Sequence, residues 1–166
     1  MPLTYRCLPF DALTLAELYA IMRLRQEVFV VEQDCPYLDA DGKDQSSHHV
    51  LGEDEKGELH AYTRLVPKGI SYPDYPSIGR VVTSAAVRGR GEGYPLMRFS
   101  IERCEALFGN GPIKISAQRH LQGYYGKLGF VATGEAYLED GIPHVAMVRN
   151  SEDDRLLPLE KFAPQI

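Results

Sequence analysis

Hydrophobic and polar positions along the chain switch between two periods, and the switches divide it into elements. Alternating or continuous apolar runs predict strands at Thr4–Leu8, His48–Gly52, Leu59–Val66, Ile78–Thr83 and Ile113–Ala117. Two closing strands, Val131–Ala136 and His144–Val148, stand on either side of the turn residues Glu139-Asp140-Gly141. Leu18, Ile21, Met22, Arg25, Val28 and Phe29 recur at near-helical intervals behind Thr14-Leu15-Ala16-Glu17, which has the form of a capping box. They predict a helix running to Val30 or Val31. Tyr94, Met97, Ile101, Cys104 and Phe108 mark one face of a second helix, with Pro95 in its first turn, where a missing N–H costs nothing. Gly109-Asn110-Gly111-Pro112 stops that helix, and a short third one, His120–Leu128, ends at Gly129.

Between these elements lie turn-rich segments: Cys35–Gln45, the charged hairpin Glu53–Gly57, and Lys68–Pro76. Asp39-Ala40-Asp41-Gly42-Lys43-Asp44 resembles a calcium loop only superficially. Lys43 stands at a ligand position, and no bidentate Glu occupies the twelfth. From Ser151 the chain is polar, then apolar at Leu156, Leu157 and Phe162, and is expected to pack back on the domain. The order is β, α, a β meander, β–α–β–α and two strands. It predicts an α/β (α+β) mixed sheet with flanking helices, one domain over residues 1–166, rather than a doubly wound fold.

Composition narrows the partners. A net charge of -5 argues against nucleic acid, and no apolar run reaches the ~18 residues of a membrane span. The 44% hydrophobic content suffices for a core. Cys7, Cys35 and Cys104, odd in number and widely spaced, point to reduced thiols and a cytoplasmic location. Neither Cys-x-x-Cys nor His-Glu-x-x-His occurs, which argues against a metal site.

The chemistry concentrates between the strand ending at Thr83 and the helix beginning at Tyr94. Val87-Arg88-Gly89-Arg90-Gly91-Glu92-Gly93-Tyr94 places three glycines at alternate positions, flanked by two arginines. Glycine admits positive φ and close backbone approach. Successive amides ahead of a helix N-terminus suit anionic oxygens, above all phosphate. The Walker pattern is absent, and the glycine spacing does not fit the dinucleotide fingerprint. A plain turn before a helix is the alternative.

Arg88-Gly89-Arg90-Gly91-Glu92-Gly93 matches the pattern [QR]-x-x-G-x-[GA], and Tyr125-Gly126-Lys127-Leu128-Gly129-Phe130 matches Tyr-x-x-x-Gly-Phe. Together they make the chain resemble the GCN5-related N-acetyltransferases (GNAT). Leu24-Arg25-Gln26-Glu27-Val28-Phe29-Val30-Val31-Glu32-Gln33, Asp41-Gly42-Lys43-Asp44 and His49 further resemble the ElaA-like subgroup. The resemblance implies a mostly antiparallel sheet with two splayed strands and acetyl-CoA as acyl donor. It places the coenzyme pyrophosphate on Arg88, Gly89, Arg90, Gly91, Glu92, Gly93 and Tyr94, and the pantetheine arm along Val81, Val82 and Thr83. The Val82 N–H would polarise the thioester carbonyl while a primary amine attacks directly. Tyr125 would act as general acid toward the departing thiolate; Tyr124, about 100° round the helix, would be packing or substrate wall.

Many family members carry an Asn after the fifth strand; here Gln118 stands in that stretch and offers the same amide chemistry. Glu32, His48 and His49 are candidate general bases, although adjacent strand histidines point to opposite faces, and a water chain could serve instead. Arg64 and Arg80 either line the acceptor cleft or form ion pairs. Two other functions stand as alternatives: a non-catalytic acyl-CoA-binding module, which shares the loop, and an acyl-homoserine-lactone-synthase-like acyltransferase, whose Arg-x-x-Val-Phe run resembles Arg25-Gln26-Glu27-Val28-Phe29 but against which the pyrophosphate motif counts. The sequence leaves the acceptor amine, peptide or small molecule, and the oligomeric state open, a homodimer included.

Overall fold

The computed structural model describes residues 2–150, so the expected docking of the tail from Ser151 lies outside the described residues. Strand β1 (Thr4–Pro9) leads through a 3-10 turn into α1 (Leu15–Arg25). The meander β2 (His48–Glu53), β3 (Leu59–Val66) and β4 (Ser77–Thr83) follows, then α2 (Gly93–Phe108), β5 (Ile113–Gln118) and α3 (Gln122–Gly126). The chain closes with β6 (Phe130–Ala132), β7 (Tyr137–Glu139) and β8 (Ile142–Arg149). These strands form one eight-stranded sheet in the order β1-β2-β3-β4-β5-β8-β6, with β7 on β8. Among the described residues only the β4–β5 contact is parallel.

The capping box is present in full: Glu17 N–H donates to Thr14 Oγ1 at 3.1 Å, and Thr14 N–H donates to Glu17 Oε1 at 2.8 Å. The helix does not continue as α to Val31, however. From Gln26 to Glu32 it widens into a π-helical segment, a form found at functional sites more often than by chance. The expected helix over His120–Leu128 is likewise shorter, a 3-10 turn followed by the five residues of α3.

A second difference concerns the closing strands, which number three. Gly134 and its neighbours leave the ladder, so Val131–Ala136 is replaced by the short strands β6 and β7. Asp140 (φ 49) and Gly141 (φ 77) both take positive φ. They make a two-residue hairpin of the kind that joins twisted strands without splaying them.

Two cores cover the two faces of the sheet. On one, Tyr94, Leu96, Met97, Ile101 and Cys104 of α2 pack on Val50, Ala61, Leu65 and Ile78, joined by Tyr124, Tyr125 and Phe130. On the other, Ile21 and Leu24 of α1 cover Leu51, Tyr62 and Val82. The hydrophobic stripe of α2 is thus the buried one, as its spacing predicts. No helix among the described residues is long and apolar enough to cross a membrane, and Cys7, Cys35 and Cys104 are free thiols.

Candidate active site

The parallel pairing of β4 with β5 is confined to Ser77 opposite Lys114, where Lys114 N–H donates to the Pro76 carbonyl at 3.0 Å. Beyond that pair the strands part. Both have other partners on their far sides, β3 and β8, so a twisted sheet opens here into a cleft. Ile78, Gly79, Arg80 and Val81 line one wall, and Ile115, Ser116 and Gln118 the other. Tyr125 of α3 enters from one face. Phe29, Gln33, Cys35 and Tyr37, from the π-helical segment and the loop after it, close the opposite one.

The β4 wall is irregular. Gly79 faces Arg64 and Val82 faces Tyr62, so Arg80 and Val81 lie against Thr63 alone, a β-bulge. Arg80 has φ 53, uncommon for a residue with a Cβ. Its guanidinium holds the distortion: Nε donates to Asp39 Oδ1 at 2.8 Å and Nη2 to the Asp39 carbonyl at 3.1 Å. Val82 itself is 2% exposed, with its side chain in the α1-side core. Its N–H also faces β3: Ser84 N–H donates to the His60 carbonyl at 2.7 Å, so the Tyr62–Val82 pair two residues along is hydrogen-bonded too, which corrects the expectation that this N–H polarises the thioester.

Arg80 belongs to a buried charge network. Arg25 Nε meets Asp39 Oδ2 at 2.8 Å and its Nη1 meets Asp44 Oδ1 at 2.7 Å. Arg64 donates from Nη1 and Nη2 to Asp41 at 2.8 Å each, and from Nη1 to Asp44 at 3.0 Å. Burial alone would raise the Asp41 and Asp44 carboxyls; the arginine hydrogen bonds and charges outweigh it and hold both below the usual carboxylate range. The segment with a calcium-loop look is therefore an arginine-bound strut under the cleft. Arg64 is ion-paired, and Arg80 both lines the cleft and is ion-paired.

At the cleft's end lies the glycine loop. Gly89 (φ 82) and Gly91 (φ 78) take the left-handed region, which requires glycine. Within the turn, Val87 and Arg88 N–H donate to the Ser84 carbonyl and Arg90 N–H to that of Val87. The N–H groups of Gly89, Gly91, Glu92 and Gly93 make no backbone hydrogen bond among the described residues. They precede α2 and remain available to an anion. Arg88 is engaged: Nη1 meets Glu32 Oε2 at 2.9 Å, and Nη2 donates to the Thr83 carbonyl at 3.0 Å. Glu92 accepts from the Tyr5 hydroxyl at 2.9 Å.

Tyr125 lines the cleft at 6% exposure, its ring set edge-on against Tyr124 and Phe130 with centroids 5.3 and 6.1 Å away. Burial pushes its phenol above the ordinary value, so it stays neutral. Tyr124 packs in the α2-side core. Gln118 lines the cleft, and its Nε2 donates across it to Gln33 Oε1 at 3.4 Å.

The three base candidates do not meet there. His48 and His49 point to opposite faces, and neither lines the cleft: His48 stands edge-on to Phe108, and His49 is fully buried on the α1 side. The His49 Nε2–H donates to the Asp44 carbonyl at 3.0 Å, and Nδ1 accepts from the Tyr62 hydroxyl at 2.6 Å. No lone pair is left to take a proton from an amine, which corrects the expectation that His49 faces the acceptor. Glu32 is half-exposed and spoken for by Arg88.

Sequence reasoning missed Gln33, Cys35, Glu139 and His144, which also line the cleft. Nothing local marks them: Glu139 and His144 reach the cleft through the sheet order of the β7–β8 hairpin, and Gln33 and Cys35 through the path of the chain after the π-helical segment. Elsewhere, Asp54, Glu58 and His60 hold potential ligand atoms within 4.8 Å of one another. Asp54 there accepts the Lys56 and Glu58 N–H groups, a hairpin-turn arrangement.

The profile of the acetyltransferase (GNAT) domain matches residues 26–151. Protein ElaA of Escherichia coli is 43% identical over 139 residues, covering 82% of this chain and 90% of ElaA. Its crystal structure superposes with a TM-score of 0.83, covering 89% and 99% of the two chains. An acyl-CoA N-acyltransferase structure from Pseudomonas aeruginosa superposes with a TM-score of 0.82 at 47% identity, covering 88% of this chain and 99% of that one.

Proposed function

We propose a reaction from the premise that this chain belongs to the GNAT acetyltransferase family: transfer of an acetyl group from acetyl-CoA to a primary amine. The observation that carries it is the cleft itself. It opens between β4 and β5, with left-handed Gly89 and Gly91 beside it and the neutral phenol of Tyr125 inside.

The residues fit the donor. Gly89, Gly91, Glu92 and Gly93 offer amides to a pyrophosphate, Arg90 adds exposed positive charge nearby, and Thr83 Oγ1 is buried without a partner among the described residues. Val81 and Thr83 offer backbone to an extended arm, and Gln118 a side-chain amide. Acetyl-CoA supplies the acyl group as an activated thioester.

Each residue then has a task the amine reaction requires. The amides of Val81 and Thr83, on the edge of β4 away from the Tyr62–Val82 pair, are the candidate donors to the charge that develops on the carbonyl oxygen. Tyr125 O–H meets the thiolate. Its proton, on a phenol pushed above the usual value of about 10, would move uphill to a sulfur near 8.5. Hydrogen bonding to the thiolate is therefore its main contribution, with transfer completed as the thiol departs. A non-catalytic binding module would need no such phenol in the cleft.

Binding tests the donor assignment. At 100 times its Kd acetyl-CoA stabilises by ~2.7 kcal/mol, which raises the melting temperature by roughly 5–10 °C. S-acetylpantetheine, which lacks the pyrophosphate, gives a smaller rise. Equal rises would remove the glycine loop from the site, and no rise with either would remove the donor.

A further inference from the structure

The β7–β8 hairpin closes the cleft on the β5 side, and two of its side chains, Glu139 and His144, line the same space as Tyr125. His144 faces Gln118 across the β5–β8 ladder and Tyr137 across the β7–β8 ladder. It therefore shares a sheet face with Gln118 and lies opposite the face of its buried neighbour Val145. The imidazole stacks on Tyr137, with centroids 6.3 Å apart and an angle of 25°. Tyr137 is in turn hydrogen-bonded to Ser116. Packing thus fixes the ring.

Hydrogen bonding fixes its tautomer. Nδ1 lies 2.7 Å from the Ile142 carbonyl, which can only accept, so Nδ1 carries the proton. The basic lone pair is then on Nε2, 3.4 Å from Glu139 Oε2. His144 is 8% exposed, whereas the Glu139 side chain is half-exposed. A backbone acceptor behind the ring and a carboxylate beside the free nitrogen are what a general base needs. The first orients it; the second stabilises the imidazolium once formed.

We propose that His144 Nε2 is the general base that deprotonates the acceptor ammonium, with Glu139 stabilising the charged ring and leading to solvent. This rests on the acetyltransferase reading. At neutral pH the acceptor arrives as R–NH3+. His144 takes one proton, freeing the nitrogen lone pair to form the C–N bond as the C–S bond breaks. A second amine proton ends on the departing sulfur. The products are R–NH–CO–CH3, the free thiol and one proton, which His144 releases past Glu139.

Other titratable or charged groups face this site. They are Tyr137 on β7, Asp140 at the hairpin turn, Cys35 and Tyr37 from the loop after the π-helical segment, Arg80 on β4 and Tyr125 on α3. Arg119 and His120 lie beside Ile142 and Pro143 on the hairpin's outer side. Arg80 is bound to Asp39, and burial raises the Tyr37 and Tyr125 phenols above their ordinary value, so both stay neutral.

The test uses the full chain, acetyl-CoA, and n-butylamine and glycinamide as strongly and weakly basic acceptors. His144→Asn keeps a donor toward Ile142 and removes the base. It is expected to lower kcat with butylamine by ~10²-fold or more, to lower it less with glycinamide, and to flatten the acidic limb of the pH–rate profile. Melting temperature and the acetyl-CoA-induced rise stay at wild-type values. Nitrogen-15 spectra of the wild type show the Nδ1–H tautomer, and Glu139→Gln lowers kcat with butylamine while leaving that tautomer in place. Wild-type turnover and pH profile in His144→Asn, or an Nε2–H tautomer, would overturn the assignment. Loss of the acetyl-CoA-induced rise in wild type would instead strike the donor reading, leaving the spectra to decide His144.

Discussion

Ser77 and Lys114 face each other across the single register pair that joins β4 to β5, and every later residue of the two strands diverges. Pairing at the base and none above it leaves a wedge-shaped opening whose walls are β-strand backbone. Unpaired strand amides are costly unless something satisfies them. An extended, hydrogen-bonding arm is the natural occupant.

Tyr125→Phe separates chemistry from packing. The ring keeps its edge contacts with Tyr124 and Phe130, so stability changes by no more than about 1 kcal/mol. Turnover falls ~10²-fold or more, while acetyl-CoA binding by calorimetry is unchanged. A matching loss of binding would mean the hydroxyl serves the ground state.

Gly89→Ala probes the loop. No atom lies within 4 Å of an added Cβ, so the cost is that of a left-handed alanine, about 1–2 kcal/mol. Acetyl-CoA affinity falls further than the shift in melting temperature implies, because the Cβ stands where an anion would approach. The control is Gly52→Ala, whose Cβ would meet Tyr5 Cε1 at 2.8 Å and Ala61 Cβ at 2.9 Å. It destabilises by packing.

Arg25→Ala leaves Asp39 and Asp44 buried beside one fewer cation. Removing one partner of a buried pair costs ~3–5 kcal/mol, read as a lower denaturation midpoint. The same network sets acid tolerance. Asp41 and Asp44 have folded pKa values depressed below the unfolded one of about 3.9. Their contribution is complete above that value and is lost as pH falls through the folded values. Circular dichroism is expected to show their loss only below about pH 4, and Asp44→Asn removes part of that acid transition.

Glu32→Gln breaks an ion pair whose partners are both 40% exposed. Such pairs contribute ~0–1 kcal/mol, so stability hardly moves, and the pH–rate profile keeps its acidic limb. A flattened limb would return Glu32 to the list of bases.

The contrast between donor and acceptor sides follows from how each is encoded. The glycine loop was legible because φ, spacing and helix caps act within a few residues, and the place of Tyr125 in the cleft followed from its match to a family motif. The meander and the buried stripe of α2 were legible too. His49 looked functional for its residue type, yet its role is set by Asp44 and Tyr62, partners five and thirteen positions away across a core. The Arg25–Arg64–Arg80 network and the placement of His144 arise from sheet order and register. No local pattern announces them. The π-helical widening after Arg25 is hidden for the same reason: apolar spacing over Gln26–Glu32 suits an α-helix as well.

Mass spectrometry of the wild-type protein with acetyl-CoA and a primary-amine panel tests the central claim most directly. The acetylated amine is expected to accumulate in step with free coenzyme A thiol, and Tyr125→Phe to slow both together. Tight acetyl-CoA binding with the thioester intact against every amine would contradict the claim and leave a binding module instead.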